Sequence, residues 1–595
     1  MRNLMKVFML GFLLVGMGIL TPPVSALDVT LPSDFCTYTI GTNTSPAEGY
    51  IYITPGQEDK RNRYYNYWSA IMDNDGNVLY FYKGDKRMQT FPDIGLLSHT
   101  YEDESENSYI GYWDMTYTMV DTISAQGDFN LDNHDFAIFG EGENRTYWLE
   151  AKDPRIMDMS AVVDSGNPEA EVIGFALFKF NAAKEIVWEW YSLDHLDELP
   201  ITDVDDQESL LGDRVNYLHL NGFHVDNENG TVMISNRKQS TVVCIKVGAD
   251  ETYLDGEVMW RLGGGRGNQF TFVDDIEGQE GFLTQHNCRR LENGNIMVFD
   301  NGHRDSLHVA CVKEYALDLD AMTATLVFRY EQDDTTYTGN GGGGFRHEAS
   351  GNTCIGWGGS RTTDIVATEV NPEGEVVWEI TFFPLVEDGP QPQTYRYYKT
   401  DMIGVAAVPY VVSHLVDQTV EITCNWFGHE EEVSSYNVYM GESTEPAEIH
   451  GNTDTGIYEI ADLAYDTDFY FRIKAVDGGG NEISEYSNET MVAPFNAVGD
   501  DVAGSIPEEF ILEQNYPNPF NPATSISVNL PHTSRITVQV FDIMGRQVAS
   551  LYNGVMSAGS HELAFDGTEL ASGIYFVKAV VPGRMEQVRK MVLIK

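Results

Sequence analysis

The stretch Gly294-Asn295-Ile296-Met297-Val298 decides the fold, because its pattern of a glycine turn followed by an apolar strand recurs along the chain. The same pattern begins at Gly76, Gly230 and Gly351, and the copies from Gly230 onward begin 64 and 57 residues apart. This spacing is typical of β-propeller blades with four strands and long loops. At roughly 60 residues per blade, residues 27–405 are expected to form about six blades.

A second pattern is an apolar strand that ends on an aromatic residue. Its copies end at Trp188, Trp260, Phe328 and Trp378. We interpret these aromatic residues as packing between adjacent blades and not as a ligand-binding box. Closing the blades into a ring also protects their strand edges from pairing with other chains.

The C-terminal part of the chain follows different patterns. Residues 406–494 combine Trp426 with an alternating strand from Phe469 to Asp477, and they resemble a fibronectin type III domain with a spacing or adhesion role. Residues 495–509 are polar and indicate a linker before a last domain at 510–595. The sequence therefore predicts an all-β protein, in which a six-bladed β-propeller precedes two small β-sandwich domains.

Both ends of the chain indicate export. Residues 1–26 combine basic residues, an apolar run and a small-residue cleavage site after Ala26, as a signal peptide does. The motifs Asn515-Tyr516-Pro517-Asn518-Pro519-Phe520 and Ser572-Gly573-Ile574-Tyr575 resemble the C-terminal sorting domain of type IX secretion. The resemblance implies the type IX machinery as a partner and a secreted or cell-surface protein of a Gram-negative bacterium. We expect no transmembrane span in the mature protein.

The charge and the cysteines exclude several classes of function. A formal net charge of -54 repels polyanions, so we expect no nucleic-acid partner. The six cysteines lack CxxC spacing, which leaves zinc ribbons and redox motifs unsupported. Isolated disulfides remain open for an exported protein.

Histidines and arginines recur around the glycine-turn repeat. His219, His286 and His347 precede successive turns, and an arginine follows each strand that comes after them, at Arg237, Arg304 and Arg361. Inner strands of successive blades converge on the propeller axis, so we expect one pocket. Three histidines could bind zinc, but the arginines oppose a cation and favour an anionic group. The sequence therefore predicts an anion-transfer site with no metal.

The middle of the predicted propeller resembles the arylsulfotransferase family. The motifs that carry the resemblance are Tyr217-Leu218-His219-Leu220-Asn221, Ser235-Asn236-Arg237, Gln285-His286 and Phe299-Asp300-Asn301-Gly302-His303-Arg304. The resemblance implies transfer of a sulfuryl group from an aryl sulfate to a phenol through a sulfo-histidine, with no cofactor and no phosphoadenosine donor. No glycine-rich phosphate loop is found in the sequence.

The resemblance also implies roles for individual residues. His347 is expected as the nucleophile, with His286 as the second choice because the glycine run before His347 departs from the family pattern. His286 and Arg304 are expected to hold the sulfuryl oxygens, and His219 to act as acid or base towards the phenol. Four further residues are expected to bind substrate: Arg237, Arg361, Asn221 and Asn301.

Three other interpretations remain open at this stage. A hydrolytic variant would use the same residues with water as acceptor. A non-catalytic surface propeller would bind carbohydrate or protein, and a metal-dependent hydrolase would use the histidines as zinc ligands.

Overall fold

The computed structural model describes most of the chain between residues 29 and 595. The described ranges are 29–59, 64–84, 87–102, 108–125, 129–276, 280–302, 309–332, 342–347, 349–358, 365–385, 392–394, 397–416, 419–461, 463, 467–492, 511–515, 517–530, 534–543, 546–556, 559–568, 570–581 and 585–595. The predicted signal peptide at 1–26 and the predicted linker at 495–509 lie outside these ranges.

The glycines of the repeat lie in hairpin turns, between the two inner strands of a blade at Gly230, Gly294 and Gly351 and between two strands further out at Gly76. Gly76, Gly230, Gly294 and Gly351 all have a positive φ, which a residue with a Cβ rarely adopts. Each glycine ends a tight turn, and the β-branched and aromatic residues after it form a buried strand. The sequence pattern therefore acts through backbone conformation at the turn and burial after it.

Six β-sheets occupy the described residues between 37 and 400. Their strands, in chain order, are β1 (Thr37–Asn43); β2 (Tyr50–Ile53), β3 (Gly56–Asp59), β4 (Tyr64–Met72) and β5 (Val78–Lys83); β6 (Gln89–Phe91), β7 (Leu96–Glu102), β8 (Ser108–Trp113) and β9 (Met119–Ile123); β10 (Asn130–Phe139), β11 (Thr146–Met157), β12 (Ala170–Phe180), β13 (Ile186–Tyr191) and β14 (Arg214–Asn216); β15 (Leu220–Asp226), β16 (Thr231–Asn236), β17 (Thr241–Lys246) and β18 (Val258–Gly263); β19 (Thr271–Val273), β20 (His286–Arg290), β21 (Ile296–Asp300), β22 (Cys311–Asp318) and β23 (Thr323–Glu331); β24 (Gly343–His347), β25 (Asn352–Gly356), β26 (Ile365–Val370) and β27 (Val376–Phe383); and β28 (Tyr397–Thr400).

Strands from both ends of this region complete two of the sheets. β1 pairs with β27 at the edge of the sixth sheet, and β28 pairs with β2 at the edge of the first. A buried ion pair lies beside this closure, with Lys399 Nζ 2.8 Å from Glu369 Oε2 and 2.6 Å from Asn74 Oδ1. The ring is thus closed by two pairings between residues more than 300 positions apart.

The inner strands of the six sheets surround one axis. β10 contacts β15, β15 contacts β20, β20 contacts β24, and β24 contacts β28. These strands form the wall of a central channel, with residues of β6 lining it as well. This is the radial arrangement of a six-bladed propeller, so this part of the fold prediction is confirmed.

The aromatic residues of the second sequence pattern pack as expected. Trp260 is buried with Cys288 of the next blade, 5.8 Å from the ring of Phe270. Trp378 is fully buried against Tyr397, where the first and sixth blades meet. Their rings therefore join blades, as the sequence analysis predicts.

Two β-sandwiches follow the propeller. The first contains β29 (Tyr410–Val416), β30 (Thr419–Asn425), β31 (Ser435–Gly441), β32 (Ile449–Thr453), β33 (Ile457–Ala461), β34 (Phe469–Val476) and β35 (Thr490–Val492). The second contains β36 (Ile511–Leu512), β37 (Ala523–Leu530), β38 (Ser534–Asp542), β39 (Gln547–Met556), β40 (Gly559–Asp566), β41 (Gly573–Val581) and β42 (Met585–Leu593). Each pairs a three-stranded with a four-stranded sheet, so the all-β prediction is confirmed to the end of the chain.

The first sandwich shares its core with the propeller. Phe427 lies 4.7 Å from the ring of Tyr80 and 5.4 Å from that of Phe81, both on β5. The Trp426 indole donates a hydrogen bond to the Ala406 carbonyl at 2.9 Å. This sandwich is therefore packed against the first blade through a buried aromatic cluster.

The remaining regular elements are short. The described residues contain seven 3-10 helices: Pro92–Ile94, Gly142–Asn144, Met159–Ala161, Ser192–Asp194, Ile201–Asp203, Gln207–Leu211 and Arg237–Gln239. Among the residues described, no helix is long and apolar enough to cross a membrane. All six cysteines are described, and each is buried and unbridged.

Candidate active site

Three histidines gather where the inner strands begin. His134 lies in β10, His219 immediately precedes β15, and His286 is the first residue of β20. The rings of His134 and His219 meet edge to face at 5.3 Å. Arg237 follows β16, and its positive charge lowers the pKa values of both His219 and His286. The structure thus brings together the predicted His219, His286 and Arg237, and it adds His134.

His286 is held in one orientation by Asn301. Its Nδ1 lies 2.7 Å from Asn301 Oδ1, and the histidine is buried. Because an amide oxygen only accepts hydrogen bonds, we assign the proton to Nδ1, which leaves the lone pair on Nε2. Burial, followed by the charge of Arg237, lowers the pKa of His286 well below its usual value. The ring is therefore a neutral imidazole with a nucleophilic nitrogen.

His219 is fixed through its backbone. It has a φ of 48°, and its N–H donates to Asn216 Oδ1 at 2.8 Å. A positive φ is uncommon for a residue other than glycine, so this hydrogen bond stabilises a strained conformation. Burial and the neighbouring His134 and Arg237 lower the pKa of His219 to about 3. His219 is therefore also neutral around pH 7.

His134 is the residue that the sequence analysis did not select. Its Nδ1 contacts Asp132, and Glu150 Oε1 lies 4.0 Å from the same atom. Burial raises the pKa of Asp132, but His134, Lys152 and Arg87 together outweigh this effect and the net pKa is lowered. Asp132 is therefore an ionised acceptor that orients the His134 ring. The available signal was the acidic surroundings of His134 in Asp132-Asn133-His134-Asp135, outside the glycine-turn repeat.

Asp132, His134 and Glu150 are also arranged so that they could hold a cation. Their ligand atoms all lie within 4.8 Å of one another. However, Lys152 Nζ is 3.4 Å from Asp132 Oδ2, and the charge of Arg87 also acts on Asp132. Since these cations already compensate the carboxylates, the donor set fits the orientation of a histidine better than it fits a divalent metal.

The two predicted asparagines have contacts within the protein. Asn301 orients His286, as described above. The Asn221 side-chain nitrogen donates to the Gln285 carbonyl at 2.7 Å, which joins the fourth and fifth blades. Asn287 makes the matching contact with the Gly344 carbonyl at 3.1 Å. The amide group of Asn221 is thus engaged in bracing the inner strands.

The backbone of His347 lies at the other end of its strand. His286 pairs with Phe299, five residues after the Gly294 turn, whereas His347 pairs with Asn352, next to the Gly351 turn. In the sixth blade, the residue five positions after the turn glycine Gly351 is Gly356, and its partner on β24 is Gly343. Gly343 therefore occupies the place of His286 in the sixth blade, and His347 follows about 13 Å further along the strand. The backbone register does not bring His347 to the other histidines.

Arg304 and Arg361 lie outside the described residues, as does the side chain of His347. Their predicted roles stay predictions.

Comparison with known families supports two of the three sequence resemblances. Residues 159–396 match the family model of arylsulfotransferase (ASST), and residues 514–595 match that of the secretion system C-terminal sorting domain. No curated protein matches the chain significantly. No family match covers the first sandwich, so its fibronectin type III assignment stays a prediction. The sorting domain indicates export to the cell surface or beyond it.

Solved structures with similar segments are distant. A putative 6-phosphogluconolactonase from Bacteroides fragilis is 9% identical, with 60% of this chain and 100% of that chain covered and a TM-score of 0.31. The periplasmic gluconolactonase of Pseudomonas aeruginosa is 9% identical, with 75% and 99% covered and a TM-score of 0.29. These likenesses are too weak to support any inference about activity.

Proposed function

From the arylsulfotransferase domain at residues 159–396, we propose that the protein transfers a sulfuryl group from an aryl sulfate to a phenol, without a phosphoadenosine donor. The observation that carries this proposal is the cluster of neutral histidines beside Arg237 at one end of the channel. Neutral imidazoles supply a nucleophile and a base, and a guanidinium matches the geometry of sulfate oxygens.

In the first step His286 acts as the nucleophile. Its Nε2 attacks the sulfur of the donor, an S–N bond forms, and the S–O bond breaks with its electron pair leaving on the phenolate. Arg237 neutralises negative charge on the sulfuryl oxygens. Asn301 keeps the proton on Nδ1 and accepts the stronger hydrogen bond of the sulfated ring.

In the second step His219 acts as the base. The acceptor phenol attacks the sulfur, His219 takes its proton, and the S–N electron pair returns to His286. His219 then releases this proton to solvent, where it balances the proton taken up by the phenolate released in the first step, so that both histidines are neutral again. The His134 ring lies against His219, and the ionised Asp132 that contacts His134 helps to stabilise the transient positive charge.

The backbone register favours a second candidate function. If the covalent histidine of this chemistry must come from the sixth blade, Gly343 stands where it would be needed. In that case the protein is a non-catalytic surface propeller that binds carbohydrate or another protein.

The test is release of 4-nitrophenol from 4-nitrophenyl sulfate, with and without added phenol, by the full chain and three variants. We expect phenol-dependent release that is abolished in His286→Ala, retained in His450→Ala on the exposed sandwich surface, and retained in His347→Ala. Mass spectrometry of the rapidly quenched protein should find one added sulfuryl group on a peptide containing His286.

The other outcomes separate the alternatives. Loss of activity in His347→Ala with a sulfated His347 peptide would assign the nucleophile to the sixth blade. Release without phenol dependence would indicate hydrolysis. No release with any acceptor would favour the binding propeller.

A further inference from the structure

A cavity of about 490 Å³ occupies the end of the channel opposite the histidines. It is lined by the last residues of the inner strands, including Ile138 and Phe139 of β10 and Thr400 of β28. Its volume lies within the usual range for small-molecule sites, about 300–1,000 Å³. The proposed sulfuryl transfer does not use this cavity.

A polar layer lies between the cavity and the histidines. Arg289 Nη2 lies 3.0 Å from Asp135 Oδ2, and Gln89 Nε2 donates to Asp135 Oδ1 at 2.5 Å. The Phe223 N–H also donates to Asp135, and Arg289 donates to the Phe223 carbonyl at 2.8 Å. These contacts join four inner strands across the channel. Gln89, Asp135 and Arg289 themselves line the cavity and give it a polar inner end.

The cavity wall is rich in aromatic rings. The rings of Phe345 and Tyr398 are tilted by 37° with centroids 4.3 Å apart, and Phe91 meets Phe136 edge to face at 5.6 Å. Phe91, Phe345 and Tyr398 are each only partly buried, so part of each ring is available to a ligand. Offset and edge contacts with such rings favour a planar aromatic molecule.

The charges of the wall favour a neutral ligand. The charge of Arg289 is balanced by Asp135, and that of Lys399 by the buried Glu369. Burial and the nearby Arg289 lower the pKa of His224 to about 4, so its ring is neutral near pH 7. Asp93 is exposed at the mouth, where its carboxylate repels an anion. Among the described lining residues, positive charge is therefore already compensated.

From the aromatic wall, the paired charges and the hydrogen-bonded polar inner end, we propose that this cavity is a second binding site, which takes a small neutral aromatic molecule such as an aromatic alcohol. It is separate from the histidine cluster, and the proposal does not depend on sulfuryl transfer.

The probe is 2-naphthol, with 2-naphthyl sulfate as its anionic counterpart, and binding to the full chain is measured by calorimetry at pH 7. We expect 2-naphthol to bind at one cavity site per chain, in addition to binding as an acceptor at the histidines, and this cavity binding to be unaffected by His286→Ala. Tyr398→Ala should weaken it about fivefold or more, because a ring contact is lost. Ala137→Phe, on a different strand, should block it by filling the cavity.

Tyr470→Ala, which removes a half-buried ring from the first sandwich, is the matched control and should leave 2-naphthol binding unchanged. The charge argument predicts that the sulfate ester binds this cavity at least tenfold more weakly than the alcohol, measured in the His286→Ala variant. Circular dichroism of each variant confirms that it folds.

Three results would overturn the proposal. The first is 2-naphthol binding that is lost in His286→Ala but retained in both cavity variants, since the ligand would then lie at the histidines. The second is equal or tighter binding of the sulfate ester in the cavity. The third is no measurable binding of 2-naphthol by the wild-type chain.

Discussion

Replacing Asn301 by aspartate tests how His286 is activated. In the wild-type protein a neutral amide accepts the Nδ1 proton of His286 at 2.7 Å, and the pKa of the imidazole is well below its usual value. A carboxylate at this position would stabilise the imidazolium instead. An opposite charge at such a distance raises a histidine pKa by about 1–3 units.

The sign of the effect on activity follows from the nucleophile. His286 attacks sulfur only as the neutral imidazole, so activity is lost as the pH falls through its pKa. Because Asn301→Asp raises that pKa, the acidic limb of the pH–rate profile should move upward by about 1–3 pH units. Well above the new pKa the ring is neutral again, and the variant should retain most of its activity.

The assay is the initial rate of 4-nitrophenol release with saturating phenol between pH 4 and 9, after quenching in alkali. Asn301→Leu is the companion variant, because it removes the acceptor without adding charge. It should lose roughly fivefold to 150-fold activity at every pH, since an unsatisfied buried N–H costs about 1–3 kcal/mol. Asn144→Asp, on the exposed surface, controls for the added charge. An acidic limb that stays in place in Asn301→Asp would refute the assignment of His286 as the titrating nucleophile.

Three further predictions concern the fold. Lys399→Met leaves the buried Glu369 without its counter-charge, so it should lower the free energy of unfolding in urea by about 3–5 kcal/mol. The control Lys179→Met, at a half-buried position, should change this free energy little. Equal effects of the two variants would contradict the role of the ion pair in closing the ring. Burial raises the thiol pKa values of Cys36 and Cys311 to about 12 and that of Cys244 to about 11. Ellman's reagent at pH 8 should therefore label the native protein slowly and should react with all six thiols after unfolding. Rapid labelling of the native protein would be inconsistent with this burial. A chain ending at residue 405 loses the contacts of Phe427 with Tyr80 and Phe81 and should melt at a lower temperature than one ending at residue 494; equal melting temperatures would show that the shared core does not stabilise the propeller.

The repeat was readable from the sequence because its signal is local. A glycine at positive φ and the apolar run after it are adjacent in the chain, so the hairpins at Gly76, Gly230, Gly294 and Gly351 follow from short-range patterns. The closure of the ring has no such signal. Thr37 pairs with Phe383 and Tyr50 with Thr400, and nothing in either local sequence specifies so distant a partner.

The first sandwich shows the same limit. Its alternating strands predict a separate sandwich, and the structure contains one. Its contact with the propeller depends on Phe427, whose ring meets those of Tyr80 and Phe81 on β5. These two residues lie more than 300 positions earlier in the chain. A role as a simple spacer does not account for this buried contact.

The histidines show why residue type and order alone do not define a site in a propeller. His286 and His347 both precede a glycine turn, by eight and four residues respectively, and this difference places them at opposite ends of an inner strand. All inner strands run in the same direction along the channel axis. The number of residues between a side chain and the turn therefore decides at which end of the channel that side chain lies. Counted in this way, Gln285, His286 and Asn287 belong to the end with His219. Arg289 and Phe345 each pair with the third residue after the turn glycine, and both line the cavity. His134 reaches the histidine end from the longer strand β10, whose turn contains Gly140 and Gly142 but is not followed directly by an apolar strand, so the sequence pattern of the repeat did not reveal it. The register of each hairpin, and not the presence of a histidine in each blade, therefore separates the proposed transfer site from the proposed aromatic site.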